Sequence, residues 1–256
     1  MITQEDPIVL TARQNQIVTF LKVNKHARVD EIAKQFFISG STARREIAAL
    51  ERMGILARSH GSASIVENAE EIPIVIRQVQ GLEGKREVAD LAIEKLPEFT
   101  TLFIDNSSTA RILAQRLSFK NKTVVTNGVT VAIQLGADPD ATVHLLGGKY
   151  NLHANALIGN STVKAIEQMQ FHLMLCSCTS INENGVFESS EDQMAVKRAA
   201  LARSRYKILL VDKSKFNDNA MYRTCDLTDF DLIVTNASPE QISPLLTVAG
   251  DRIIHP

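Results

Sequence analysis

Ile38-Ser39-Gly40-Ser41-Thr42-Ala43-Arg44-Arg45-Glu46-Ile47-Ala48-Ala49-Leu50 decides how this chain is to be read. Stepped at about 100° per residue from Ser41, the residues Ala43, Ile47 and Leu50 gather on one side. Ser41, Arg45, Ala48 and Arg52 lie almost opposite. One face suits packing against a small domain. The other offers a hydroxyl, two guanidinium groups and a small side chain that permits close approach. Arg reads guanine edges or clamps phosphate, and Ser or Thr at a helix start donates to phosphate. Taken alone, the stretch also fits the solvated face of an ordinary surface helix. Its neighbours decide between the two.

Upstream, Ile17, Phe20, Leu21 and Asn24 follow i, i+3, i+4, i+7 spacing and predict an amphipathic first helix. Ala27-Arg28-Val29 predicts a short extended piece. Asp30 is expected to N-cap a second helix with Ile32, Ala33, Phe36 and Phe37 on its apolar side. Phe36-Phe37 reads as core, not as a platform for stacking single strands. Ile38-Ser39-Gly40 is expected to form a turn, Ser41 to open the third helix and Gly54 to stop it. Residues 55–64 then read as a strand, a Gly/Ser turn and a return, a wing that carries Arg58 and His60 towards a DNA backbone. Three helices followed by a basic wing make a winged helix-turn-helix, an arrangement that docks on DNA.

Ser39, Thr42, Arg44, Arg45, Glu46, Ile47, Leu50, Gly54, Arg58, His60, Gly61 and Ala63 match, in step, a Ser-x-x-Thr-x-Arg-Arg-Asp-Leu motif followed by Leu, Gly and an Arg-x-His-Gly-Gly-Ala wing. On these residues the chain resembles the DeoR-type bacterial regulators of sugar metabolism. Glu46 and Ile47 are mild departures, and Ser62 stands where a second wing glycine is usual. The resemblance and the helix faces together imply DNA contacts from Ser39, Ser41, Thr42, Arg44, Arg45, Arg52, Arg58 and His60.

Charge agrees with a modest DNA-binding module. Residues 1–62 hold nine Lys/Arg against six Asp/Glu, and the remainder holds 19 against 23, so a +3 piece precedes a −4 piece. With so small a positive excess, useful affinity calls for two or more subunits on one site. The acidic part suits a body held off the duplex. At 256 residues and 45% apolar, the chain has material for a small and a larger domain. No apolar run nears the ~18 residues of a membrane span, and no leader-like segment precedes the first helix, so a cytoplasmic protein is expected. Cys176 and Cys178 share one face of an apolar strand but strain opposes a bridge between them. A metal site would need His172 or His144 beside them, and no second ligand pair has zinc spacing. No metal or cofactor is expected.

The organisation predicted is a winged helix-turn-helix at 1–64, a linker at 65–82 and a sensing and oligomerisation domain at 83–256. Pro73 interrupts any helix through the linker, and the stretch from Ile74 is expected to break at Gly81 and Gly84. Lys85 to Leu96 predicts a helix stopped by Pro97. Beyond it, apolar runs at 101–105, 123–127, 142–147, 173–178, 207–212, 232–235 and 252–254 read as strands. Helical stretches at 109–117, 129–135, 161–169, 191–204 and 239–248 lie among them. This alternation predicts an α/β domain with a doubly wound, largely parallel sheet. In such sheets ligands sit beyond the carboxyl ends of the strands. The loops there are Asp105-Asn106-Ser107-Ser108-Thr109, Thr126-Asn127-Gly128, Gly147-Gly148-Lys149 and Asp212-Lys213-Ser214-Lys215-Phe216. Their hydroxyls, free N–H groups and ammonium groups suit an anion, although each loop is also an ordinary helix cap.

The resemblance covers these loops too. Family patterns fall on residues 105–109, 125–127, 147–148, 191–198 and 211–216, and imply a ribose-5-phosphate-isomerase-like sensor domain that binds a phosphorylated sugar. The effector residues so implied are Asp105, Ser107, Ser108, Thr109, Thr126, Asn127, Gly147, Gly148, Glu191, Lys197 and Lys215. Ser107, Ser177 and Ser180 stand where glycines are usual, and a Cβ at each narrows the pocket. Tyr150 to Asn155 could line the pocket or a subunit contact.

The expectation is a DNA-binding regulator, a repressor of carbohydrate genes, released by a phosphorylated sugar and acting as a homodimer or homotetramer. Two alternatives stand beside it. One is a sugar-phosphate isomerase fused to a DNA-binding module, with Asp105 or Glu191 as base and Lys215 as electrophile. The other is a ligand-free scaffold for DNA architecture.

Overall fold

Each N-terminal helix starts and stops where its backbone groups find partners. Thr11 and Gln14 form a capping box that opens α1 (Ala12–Asn24), whose Ile17, Val18 and Leu21 are buried. A short strand, β1 (His26–Arg28), runs directly into α2 (Val29–Gln35). Asp30 does not cap this helix as expected: the chain leaves the strand already helical at buried Val29, so Asp30 and Glu31 fall in the first turn. The Arg28 N–H donates to the Glu31 carboxylate at 2.7 Å. α3 (Gly40–Arg52) begins one residue before Ser41, with Ser39 as N-cap. Its end is a Schellman motif: Gly54 lies at φ 70°, its N–H donates to the Glu51 carbonyl, and the Ile55 N–H donates to the Leu50 carbonyl. β2 (Leu56–Ser59) and β3 (Ser62–Ile65) form the wing, and β1 joins it in an antiparallel sheet of order β1-β3-β2.

The same capping logic overturns one expectation. Phe37 is not core. It is the left-handed residue after α2, at φ 53°, with the Ile38 N–H donating to the Ala33 carbonyl across it, and it is 97% exposed. Glycine ordinarily fills such a position. Phe36 is half-buried and meets Phe20 edge-on, ring centroids 5.7 Å apart.

The computed structural model describes residues 10–59, 61–66 and 74–256, divided into two compact units at Arg77/Gln78. Within the stretch 65–82 read as linker, residues 67–73 lie outside the described residues. α4 occupies Ile74–Val79, and Ile74 is buried in the N-terminal core. α5 runs Leu82–Ile93, straight through Gly84 rather than breaking there. A Cβ at Gly84 would stand 2.7 Å from the Asn236 amide nitrogen, so the residue serves close packing.

The C-terminal unit then proceeds β4 (Thr101–Ile104), α6 (Ser108–Ala114), β5 (Lys122–Thr126), α7 (Val129–Leu135), β6 (Ala141–Leu145), β7 (Lys149–Asn151), β8 (Ala156–Ile158) and α8 (Asn160–Glu167). It continues β9 (Phe171–Cys176), β10 (Ser180–Asn182), β11 (Gly185–Glu188), α9 (Glu191–Arg203) and β12 (Ser204–Val211). It ends with β13 (Tyr222–Cys225), β14 (Leu232–Thr235), α10 (Pro239–Ala249) and β15 (Ile253–Ile254). All seven expected strands join one parallel sheet of order β15-β14-β12-β9-β4-β5-β6.

Alternation along the strands builds two cores. Leu102, Ile104, Leu173, Leu175, Ile208 and Leu210 pack with α5, α6 and α7 on one face. Phe103, Met174, Cys176, Leu209, Val211 and Ile233 pack with α8, α9 and α10 on the other. The sheet is therefore doubly wound. Two antiparallel pieces were not foreseen: the hairpin β7-β8 and the small sheet β10-β11-β13. Among the described residues no helix is long and apolar enough to cross a membrane.

Candidate DNA interface and effector site

On α3 the two faces separate cleanly. Ala43, Ile47 and Leu50 are fully buried, whereas Ser41, Arg44, Arg45 and Arg52 are exposed. At its N-terminus the Ser39 hydroxyl accepts the Thr42 N–H at 3.1 Å and touches the hydroxyls of Ser41 at 2.8 Å and Thr42 at 2.9 Å. Three hydroxyls thus cluster where the free N–H groups of the helix point, an arrangement that suits a phosphate. Glu46 faces the other way: its carboxylate holds Gln14 at 3.0 Å and Arg13 at 3.4 Å and braces α3 against α1. Arg58 on the wing is held by Glu51 at 2.5 Å, an exposed pair that a phosphate can displace. Gly61 turns the wing at φ 82°. His60 lies outside the described residues.

In the larger unit β4 and β9 are neighbours from which the strand order departs in opposite directions, so the sheet's switch point lies between their carboxyl ends. Asp105 follows β4, Ser177 follows β9 and Asp212 follows β12. One Asp105 oxygen accepts the Ser107 N–H at 3.0 Å; the other accepts the Ser177 N–H at 3.2 Å and the Lys197 ammonium at 3.0 Å. Lys197 also meets Glu188 at 2.6 Å and donates to the Ser177 carbonyl. The second Glu188 oxygen accepts the Thr179 hydroxyl at 2.9 Å. All three side chains of this Asp-Lys-Glu triad are about 5% exposed. Burial alone would draw the Lys197 ammonium down, but Glu188 and Asp105 outweigh it and hold it well above its ordinary value.

The rest of this sheet edge is polar and buried. Ser107 caps α6 by accepting the Ala110 N–H, with buried Ser108 and Thr109 in the first turn. Thr126 accepts the Gly128 N–H, and the Asn127 amide donates to the Leu157 carbonyl at 3.2 Å. The hairpin β7-β8 closes over these groups. Asn106 donates to the Ala154 carbonyl at 3.1 Å, Asn155 donates to Thr130 at 2.5 Å, and the Tyr150 hydroxyl donates to Asn155 at 2.8 Å. Gly148 admits no side chain, since a Cβ would fall 2.7 Å from the Ile158 carbonyl. Among the described residues, the hydroxyls of Ser177, Ser180 and Ser189, the Asn127 carbonyl and one Asp212 oxygen are buried without a hydrogen-bond partner. Buried polar atoms are rarely left so in a functioning protein, and such groups are satisfied by ordered water or by a ligand.

Residues 80–237 match the family model described as "DeoR C terminal sensor domain", and residues 13–69 match "DeoR-like helix-turn-helix domain". The chain belongs to the DeoR family. Relatives include the glycerol-3-phosphate regulon repressor of Escherichia coli (strain K12), 29% identical over 90% of this chain and 92% of its own length. The lactose phosphotransferase system repressor of Streptococcus mutans is 28% identical over 89% and 92%. The HTH-type transcriptional repressor GlcR of Bacillus subtilis (strain 168) is 26% identical over 88% of each. Among solved structures, an O-methyltransferase family protein from Burkholderia thailandensis superposes with a TM-score of 0.27 at 9% identity, over 76% of this chain and 74% of that one. That is too little to bear on fold or function.

This DeoR-family chain brings Asp105, Ser107, Ser108, Thr109, Thr126, Asn127 and Lys197 into one buried polar layer. Gly147 and Gly148 are exposed at the start of the hairpin, and Lys215 is half-buried in a short 3-10 turn. Glu191 is exposed at the first position of α9. Six helical steps turn it about 240° from Lys197, so the two point apart. The acidic partner that Lys197 does have, Glu188, escaped the sequence reading. Its only signal was a carboxylate closing the apolar run Gly185-Val186-Phe187. Ser177 and Ser180, read as departures from glycine, are buried at the strand ends, and the Ser177 backbone bonds both Asp105 and Lys197.

Proposed function

We propose that this DeoR-family transcriptional regulator is a sequence-specific repressor of carbohydrate-metabolism genes in the cytoplasm, switched by a phosphorylated sugar bound at the carboxyl edge of the parallel sheet. The observation that carries the DNA half is α3: one face fully buried, the other bearing exposed Arg44, Arg45 and Arg52 behind the hydroxyls of Ser39, Ser41 and Thr42. Arg44 and Arg45 read bases, and Arg52, Arg58 and His60 engage the backbone. The effector half is supported by the buried layer around Asp105 and by its unpartnered hydroxyls. The names of the relatives, which refer to glycerol-3-phosphate and to a lactose phosphotransferase system, favour a phosphorylated ligand.

A single +3 unit is weakly attractive to DNA, so the acting species is a homodimer or homotetramer whose paired units share one operator. The effector shifts the assembly towards an arrangement that no longer fits the operator, by as much as its affinity differs between the two states. The isomerase alternative is disfavoured by the state of its proposed base. Asp105 is bonded to Lys197, Ser107 and Ser177, and Glu191 points into solvent.

A gel-shift titration on the promoter of the protein's own gene tests this. Arg45→Ala should lose about 1–3 kcal/mol of affinity and relax sequence preference at one base pair. Full affinity and unchanged preference in Arg45→Ala would remove the recognition-helix assignment.

A further inference from the structure

Lys197 has three N–H donors, and all three are engaged: by Asp105, by Glu188 and by the Ser177 carbonyl. The effector assignment implies that this buried ammonium receives an anion. In the structure it has none to offer. Two carboxylates flank one ammonium, so the triad carries a net negative charge at the switch point. Asp212 and Lys215 act on the same thiol, Cys178, as Glu188 and Lys197 do, and as one carboxylate and one ammonium they leave the charge of the triad unchanged. Among the described residues, the atoms left without partners at this sheet edge are the hydroxyls of Ser177, Ser180 and Ser189 and two acceptor-only oxygens, one of Asp212 and the carbonyl oxygen of Asn127. The hydroxyls can serve either a hydroxyl group or a phosphate, but the Asp212 and Asn127 oxygens only accept, and so suit the hydroxyl groups of a ligand and not its phosphate.

We infer that Glu188 is a specificity-determining residue that bars an anion from Lys197, so that the ligand end reaching the switch point is its uncharged, hydroxyl-bearing end. This rests on the reading of this sheet edge as the effector site, and names the chemistry it accepts at its inner end. The phosphate of such a ligand is then carried outward, away from Asp105 and Lys197. Glu188 achieves this through charge and occupancy together: it lies 2.6 Å from the ammonium, closer than Asp105 at 3.0 Å. Thr179 fixes its other oxygen, so the side chain is held from both ends.

The test titrates inorganic phosphate into the full-length protein by calorimetry at constant ionic strength. Glu188→Gln keeps the size of the side chain and removes its charge. It should bind phosphate at least tenfold more tightly than the wild type, while Glu188→Asp, still charged, should not. The gain should vanish in the double variant Glu188→Gln/Lys197→Met. If Glu188→Gln does not fold, Glu188→Thr supplies the same neutral comparison. Equal phosphate affinity in wild type and the neutral variant, or a gain that survives loss of Lys197, overturns the inference. The effector assignment is scored separately, by the effect of phosphorylated sugars on operator binding. A flat response there, with the phosphate gain intact, upholds the exclusion of anions at Lys197 and removes the effector assignment instead.

Discussion

Replacing Lys197 by Met probes the point on which the larger unit turns. The ammonium touches Asp105 at 3.0 Å and Glu188 at 2.6 Å, and each of the three side chains is about 5% exposed. At an effective dielectric of about 20, each contact is worth about 6 kcal/mol of Coulomb attraction. Desolvation of three charges cancels most of that, so the triad itself adds little to stability. Removing its centre is different: two buried carboxylates then face each other with no cation between them. Breaking a buried pair in this way costs about 3–5 kcal/mol. Urea unfolding of the full-length protein, followed by far-ultraviolet circular dichroism, should show the C-terminal transition shifted by that amount. Neutralising the partners as well, in Lys197→Met/Glu188→Gln/Asp105→Asn, should recover a large part of the loss. A loss below about 1 kcal/mol in Lys197→Met would mean that water reaches these charges, and the buried-triad description would be wrong.

Phe37→Gly should stabilise the N-terminal unit. It relieves about 1–2 kcal/mol of left-handed strain against about 0.5–1 kcal/mol of added chain entropy, and a lowered melting temperature would refute the assignment of φ 53°. Gly128→Ala should cost about 1–3 kcal/mol, because the new Cβ would stand 2.8 Å from the Asn106 Cα. Amide exchange should then show faster opening around Asn127 and Leu157, and unchanged protection there would count against the packing described. Burial, with Asp229 adding to it, pushes the Cys225 thiol up to about 12, whereas an unfolded thiol titrates near 8.5. Between those values the unfolded chain loses a proton that the folded one keeps. Stability should therefore fall by about 1.4 kcal/mol per pH unit above pH ~8.5 on account of this thiol. Cys225→Ala should make the alkaline decline of the denaturation midpoint shallower, and an identical slope would exclude the buried thiol as its source.

Local rules in the chain were enough for much of this. The 3.6-residue period of α3, the glycine that ends it and the strand-helix alternation after Pro97 each reflect short-range physics: side-chain projection, capping and burial of alternate residues. The strands and helices of the parallel sheet consequently fall close to their expected limits. Expectation and structure part where local signals compete. Phe36-Phe37 looks like an apolar pair on a helix, but the helix has already ended and its last carbonyls require a left-handed residue there. Gly84 looks like a breaker, yet it is the close approach of Asn236 that requires it.

Order along the chain, then, carries the period of each element, its caps and the set of polar loops at one edge of a sheet, because these depend on residues a few positions apart. It does not carry the order of strands in that sheet. Only pairing of β4 with β9 brings Asp105 within 3.0 Å of Lys197, 92 residues later, and only the small sheet β10-β11-β13 places Glu188 against the same ammonium. A buried charge takes its partner from whatever the folded chain puts beside it. The chemistry of this site is accordingly a property of the tertiary fold, while the residues of the recognition helix can be read directly from the order of the amino acids.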